Sequence, residues 1–109
     1  MLPLELTPAA VQLLRDSGKD LVLVDCRERD EWELVAIADA QLLPMSEIAD
    51  RVSELAGYEE ARLVVYCHLG GRSLRVATWL RSLGFSHAQS MRGGIDQWAA
   101  EIEPGMARY

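Results

Sequence analysis

Lysine is almost missing from this 109-residue chain: Lys19 stands alone beside ten arginines, and no run of Lys or Arg exceeds two residues. With a formal net charge of -6, the lack of any basic patch excludes nucleic acid as a natural partner. The skew toward arginine carries no functional weight by itself. Long hydrophobic runs are also missing. The apolar stretches extend a few residues each, far short of the roughly 20 needed to span a bilayer, and Met1 to Glu5 offers no basic region ahead of one. The expectation is a soluble, cytoplasmic protein without a membrane partner. Cysteine is limited to Cys26 and Cys67, too few for a disulfide framework, and with His68 and His87 they match no metal-ligand spacing. Neither a metal nor a cofactor is expected. Half of the residues are apolar, which argues against disorder, and the length suits one domain, 1–109, around one core.

What the chain does contain is an alternation of short apolar runs and amphipathic stretches. Leu4 to Leu6 reads as a weak opening strand. Thr7-Pro8 supplies a cap and a first-turn proline for a helix to about Asp16, with Val11, Leu13 and Leu14 as its apolar side. Leu21 to Asp25 is a continuous leucine and β-branched run, the pattern of a strand buried on both faces of a parallel sheet. Glu28 to Glu33 predicts a short helix, Ala40 to Leu43 a strand closed by Pro44, and Ser46 caps a helix to about Leu55. Leu63 to Tyr66 is a further strand. Gly71 to Leu83 is the strongest helical pattern, with Leu74, Ala77, Leu80 and Leu83 on one face. His87 to Ser90 is the last strand, and Gly94 to Ile102 a closing helix with Ile95, Trp98 and Ala99 inward. Such an order predicts an α/β fold, a parallel sheet flanked by helices, with ligands at the carboxyl ends of the strands.

Cys67 lies at that edge. It ends the strand Leu63 to Tyr66 and opens the loop Cys67-His68-Leu69-Gly70-Gly71-Arg72-Ser73, which runs into the strongest helix. Glycines let backbone N–H groups converge on one point, a helix N-terminus favours an anion, and Arg72 adds a positive charge. A thiol in that setting is expected to ionise and act as a nucleophile. Arg72 offers a planar fork for a pair of oxygens on an anion. Ser73 suits either capping of the helix or a hydrogen bond to the reacting sulfur. His68 suits either the pocket mouth or an idle loop position, and His87 is read as inert. Trp32, Trp79 and Trp98 are read as core anchors.

On these residues the chain resembles a single-domain rhodanese, a sulfurtransferase family. The matches are Leu23-Val24-Asp25-Cys26-Arg27-Glu28 with Asp30-Glu31-Trp32, Ala40 with Leu43-Pro44, Val65-Tyr66-Cys67 with Gly70 and Arg72-Ser73, Ala77, Leu80, Gly84-Phe85, and Gly93-Gly94 with Trp98. The resemblance implies a three-layer fold of about five parallel strands with helices on both faces. It implies a double displacement: Cys67 takes the outer sulfur of a small anionic donor such as thiosulfate, becomes a persulfide, and passes the sulfur to cyanide, a thiol or a partner protein. It also implies that Asp25 and Arg27 brace the neighbouring loops, with Gly93 and Gly94 allowing close backbone approach near the thiol. Two other readings share the resemblance: a persulfide carrier in a sulfur relay, and a binding module whose thiol is idle. Phosphatase-type relatives place their arginine one residue further from the cysteine; here Arg72 is five positions beyond Cys67, a tighter loop better suited to one sulfur atom.

Cys26 reads most simply as a buried core thiol. The sharper reading places it on a strand near Cys67, where it resolves a persulfide or sulfenic acid as an internal disulfide, a geometry excluded if the Cα atoms are more than about 7 Å apart. One departure stands out. Where the family shows a Gly-His-Ile-x-Gly turn, this chain has Val35-Ala36-Ile37-Ala38-Asp39, so the left-handed backbone that glycine would supply has to come from another residue.

Overall fold

The computed structural model describes residues 1–109. Five strands, β1 (Glu5–Leu6), β2 (Val22–Asp25), β3 (Gln41–Leu42), β4 (Leu63–Tyr66) and β5 (Ala88–Met91), form one sheet in the order β1-β5-β4-β2-β3, and every pair is parallel. The apolar runs in β2 and β4 explain their central places: β4 is buried along its whole length, and alternate residues feed opposite faces. Val24 and Val65 face one cluster, completed by Ile48, Leu55, Val76, Ala77 and Leu80 from α3 (Ile48–Arg51), the 3-10 turn Val52–Leu55 and α4 (Gly71–Ser82). Leu23, Val64 and Tyr66 face the other, with Val11 of α1 (Pro8–Asp16) and Ile95 and Trp98 of α5 (Gly94–Glu101). The three-layer α/β arrangement is as the sequence predicts. Each fully buried aliphatic side chain in these clusters contributes about 1.5–3 kcal/mol relative to exposure.

Several details differ from the sequence reading. The stretch 46–55 is two short helices rather than one, and Ser46 does not cap them. Its backbone N–H donates to Glu28 Oε2 at 3.2 Å and its hydroxyl donates to Glu28 Oε1, which ties the loop after β3 to the start of α2 (Arg29–Leu34). The buried stripe of α4 is Ser73, Val76, Ala77 and Leu80, while Leu83 is 47% exposed. In α1, Leu13 is 71% exposed because the sheet meets only one narrow side of the helix, at Pro8 and Val11. Of the three tryptophans only Trp98 is fully buried; Trp32 and Trp79 are half-buried.

The turn 35–39 finds its left-handed residue in Asp39, at φ 68°. Aspartate is one of the few non-glycine residues that adopt this region readily. Arg15 steadies it, donating to the Ala38 carbonyl at 3.1 Å and standing 3.9 Å from the Asp39 carboxylate. Ile37 plugs into the core, and its N–H donates to the Tyr66 hydroxyl at 3.2 Å.

The contact that sets the shape of the functional edge joins α5 to the loop after β4. Ile95 N–H donates to the Cys67 carbonyl at 2.8 Å and Asp96 N–H to the His68 carbonyl at 3.1 Å. These are orphan donors of a helix N-terminus, satisfied by another segment's carbonyls. The approach is so close that a Cβ on Gly94 would lie 2.4 Å from both carbonyl oxygens, and the residue also sits at φ 61°. Gly94→Ala is therefore expected to destabilise the protein by on the order of 3 kcal/mol in urea unfolding. Gly105→Ala, where a Cβ meets open space, should leave the midpoint nearly unchanged. Equal midpoints for the two variants would contradict the close approach.

Candidate active site

With its carbonyls drawn toward α5, the loop turns amides toward the sulfur. Gly70 N–H donates to Cys67 Sγ at 3.1 Å and Ser73 N–H at 3.3 Å. Gly70 makes this possible by adopting φ 109° immediately before α4. Gly71 and Arg72 follow in the first turn of that helix, where amides precede any intrahelical acceptor and the helix dipole favours negative charge. Sγ thus rests against N–H groups, in a residue only 1% exposed.

A hydroxyl pair completes the cradle. Ser73 Oγ is 3.4 Å from the sulfur and 2.7 Å from Ser90 Oγ, and both serines are fully buried. The Ser73 hydroxyl also donates to the Gly70 carbonyl at 3.2 Å; with the sulfur ionised it turns its hydrogen bond to Sγ and accepts one from Ser90. Ser73 therefore does not cap α4; Gly70 holds the position before the helix. Ser90, on β5, belongs to the site although no motif singles it out. It comes into reach only because β5 lies beside β4, with Ser90 paired to Val65.

These donors outweigh burial. The Cys67 thiol is pulled down to about 4, first by the neighbouring Cys26 thiol, which offers its proton, and then by the Ser73 hydroxyl and the Ser73 and Gly70 amides, against the opposing effect of burial. Cys26 is pushed the other way, because its S–H faces the Cys67 sulfur as a donor and is itself buried beside a negative charge, so it holds its proton. Cys67 is the ionised partner of the pair.

Arg72 stands beside the sulfur but its fork is engaged. Nη1 and Nη2 donate to the two carboxylate oxygens of Glu31 on α2 at 2.7 and 2.9 Å. That partner holds the Glu31 carboxyl down to about 2, against partial burial and with help from the Tyr109 hydroxyl and the Glu28 backbone. The open fork foreseen from the loop pattern is thus closed by α2, for the simple reason that a guanidinium this close to a carboxylate forms the two-pronged pair. The shallow pocket at the sulfur is lined by Cys67, His68, Leu69, Gly71, Arg72 and Arg75. Arg75, one turn further along α4 and exposed, makes no ion pair and is the freer cation at the mouth. Leu69, 63% exposed, forms the loop's apolar tip.

Asp25 and Arg27 are both fully buried and form a two-pronged pair, with Nε to Oδ1 at 3.0 Å and Nη2 to Oδ2 at 2.7 Å. Arg27 reaches on to the carbonyls of Glu31 and Val35 at 3.3 and 2.6 Å, so it collects the C-terminal end of α2 onto the end of β2. Through Glu31 this fixes Arg72. Breaking a buried pair of this kind typically costs about 3–5 kcal/mol. His68 stacks on the Tyr109 ring with centroids 4.0 Å apart, and its Nε2 lies 2.9 Å from the Tyr109 carbonyl; the ring faces that segment rather than the sulfur. Gly93 holds φ 77° ahead of α5. His87, near Glu60 at 3.7 Å, belongs to the opposite end of the sheet, away from the thiol.

Comparison with known proteins matches residues 7–101 to the model of the rhodanese-like domain. A sulfurtransferase of Allochromatium vinosum is 38% identical over 88% of this chain and 87% of its own length. The probable adenylyltransferase/sulfurtransferase MoeZ of Mycobacterium tuberculosis is 36% identical over 95% of this chain, which spans only 26% of that larger protein. Among solved structures, the human single-domain sulfurtransferase TSTD1 superposes with a TM-score of 0.78 at 25% identity, covering 92% of this chain and 98% of that one. An amide-lined cysteine at the end of the central strand and a match that runs through nearly every element lead to one assignment: the chain belongs to the rhodanese-like domain family.

Proposed function

We propose that the protein is a sulfurtransferase that carries a sulfane sulfur on Cys67, taking it from thiosulfate or a similar small anion and giving it to cyanide or a thiol. The observation that carries this reading is the cradle around the Cys67 sulfur, with the Gly70 and Ser73 amides at 3.1 and 3.3 Å and the Ser73 hydroxyl at 3.4 Å, an arrangement that favours a thiolate. The thiolate attacks the outer sulfur of thiosulfate, the S–S bond of the donor breaks, and sulfite leaves with its electron pair. Cys67 is left as a persulfide anion. In the second step an acceptor nucleophile attacks the outer sulfur, and the bonding pair returns to Cys67 as thiolate. Charge is negative before and after each step, so fixed donors aimed at the sulfur are the appropriate catalytic device, each commonly supplying roughly 3–4 kcal/mol in comparable anion holes. Arg75, free of any ion pair, supplies the positive charge that draws an anionic donor to the mouth, beside Arg72 held on Glu31. Asp25, Arg27, Glu31, Gly93 and Gly94 act by holding the loop and Arg72 in place.

A persulfide carrier within a sulfur relay is the second reading, with the same chemistry on Cys67 and a protein as donor or acceptor. Two observations favour it: several relatives, such as MoeZ, contain this domain within longer proteins whose names join adenylyltransferase to sulfurtransferase, and the loop tip bears the exposed Leu69. A purely docking domain is disfavoured by the ionised thiol.

Incubation with thiosulfate and cyanide is expected to yield thiocyanate, and Cys67→Ala to abolish it; equal inactivity of the two proteins would remove thiosulfate as the donor and leave the relay reading. Alkylation of Cys67 should proceed at a rate nearly independent of pH from about 5 to 9 and fall as pH drops through about 4, because acid protonates the reactive thiolate. A rate that instead climbs through the free-cysteine value of about 8.5 would refute the activated thiol. Arg72→Lys keeps the charge but cannot hold both oxygens of Glu31, so the cation is no longer fixed at the mouth and KM for thiosulfate should rise by up to about tenfold. Unchanged kinetics would take Arg72 out of the site.

A further inference from the structure

Cys26 has no step in the transfer just described, yet it lies directly beside the reacting sulfur. The β2–β4 register pairs Asp25 with Tyr66, and the Cys26 N–H donates to the Tyr66 carbonyl at 3.0 Å, so the alignment continues one residue further, to Cys26 and Cys67. Val24 and Cys26 on one chain segment, Val65 and Cys67 on the other, all face the same apolar cluster under α4. The two thiols therefore leave the sheet on one face from neighbouring strands. Paired residues on adjacent strands stand about 5 Å apart, within the span of about 4.4–6.8 Å that a disulfide requires between Cα atoms. Both cysteines are free.

Their unequal access gives the pair a direction. The pocket at the site borders Cys67 together with His68, Leu69, Gly71, Arg72 and Arg75, whereas Cys26 is fully buried and does not line it. A sulfur added to Cys67 finds room at that opening, while Cys26 stands beside Cys67 on the neighbouring strand and off the pocket. Displacement at sulfur proceeds in line through the attacked atom. The geometry points to Cys26 as the resolving thiol of the Cys67 persulfide, which gives the protein a second activity, release of sulfide when no acceptor arrives.

In that step the Cys26 sulfur attacks the inner sulfur of Cys67–S–S⁻. A Cys26–Cys67 bond forms, the bond to the outer sulfur breaks, and that sulfur leaves with the electron pair and takes up the Cys26 proton as HS⁻. Three sulfurs, one proton and one negative charge stand on each side. The sulfane sulfur is the oxidant and is reduced to sulfide, so no outside oxidant enters. The disulfide is returned to two thiols by a dithiol reductant, which is oxidised in turn. In the unloaded protein the Cys67 charge keeps Cys26 protonated; loading moves that charge one bond outward, away from Cys26. The inference rests on the persulfide reading above.

The test uses the full chain, loaded anaerobically with thiosulfate and freed of excess donor. Wild type is expected to gain about 32 Da and then fall to about 2 Da below its reduced mass, with one equivalent of sulfide released per disulfide. Non-reducing peptide mapping should join the Cys26 and Cys67 peptides, and dithiothreitol should restore both thiols. Cys26→Ser and Cys26→Ala should keep the added sulfur. Wild type that keeps its extra sulfur as long as these variants do would overturn the inference and leave the proposed function standing, as would disulfide formed without sulfide. If neither variant nor wild type ever gains sulfur, from thiosulfate or from an alkyl persulfide, the persulfide reading beneath both fails. Should the variants not fold, the wild-type mass sequence, sulfide yield and peptide map decide the matter alone.

Discussion

Two hydrogen bonds between segments distant in sequence govern the functional edge of this protein. By accepting the Ile95 and Asp96 amides, the carbonyls of Cys67 and His68 are drawn away from the sulfur. With these two carbonyls held by α5, the remainder of the short loop closes over the sulfur and the Gly70 and Ser73 amides rest on Sγ. Ionisation of a buried thiol would otherwise be opposed by desolvation. The apolar sheet, which makes the site rigid, and the polar cradle, which makes it negative, are thus reconciled by the placement of α5.

A second brace acts from the opposite side. Arg27 joins the Asp25 carboxylate to the carbonyls that end α2, α2 presents Glu31, and Glu31 holds the Arg72 guanidinium in a two-pronged grip. The acidic motif after β2 and the thiol loop after β4 are therefore parts of one rigid assembly at neighbouring strand ends. Loss of a member is felt at the mouth of the pocket even where the side chain does not touch the sulfur. Within a chain rich in acidic residues, the pocket at Cys67 is bordered by two arginines, of which Arg72 is paired with Glu31 and Arg75 makes no ion pair.

Much of this is legible in the sequence. The apolar runs Leu21–Val24 and Leu63–Tyr66 have the pattern of doubly covered strands, and the thiol, glycines and arginine in sequence after β4 mark the loop that the structure folds around the Cys67 sulfur. The helix faces were less legible: Leu13, Leu74 and Leu83 fit helical spacing, but which apolar residues are covered depends on where the sheet lies, and Leu13 and Leu83 remain exposed. Ser90 and the pairing of Glu31 with Arg72 depend on strand order and on the docking of α2, information that no local pattern carries. Asp39 shows the converse. The missing family glycines signalled a backbone demand, and the only non-glycine residue at positive φ is found in that turn.

Cys67 leaves the sheet from β4, which has two strands on either side. Central strands are the last to open in native-state fluctuations, while edges and connecting loops breathe freely. Fraying at the margins of the molecule therefore leaves the strand that ends at Tyr66 in place. The sulfur is anchored to the most persistent hydrogen-bonded unit of the fold, whereas the amides that face it belong to the loop and the first turn of α4, so its setting can loosen before its position does.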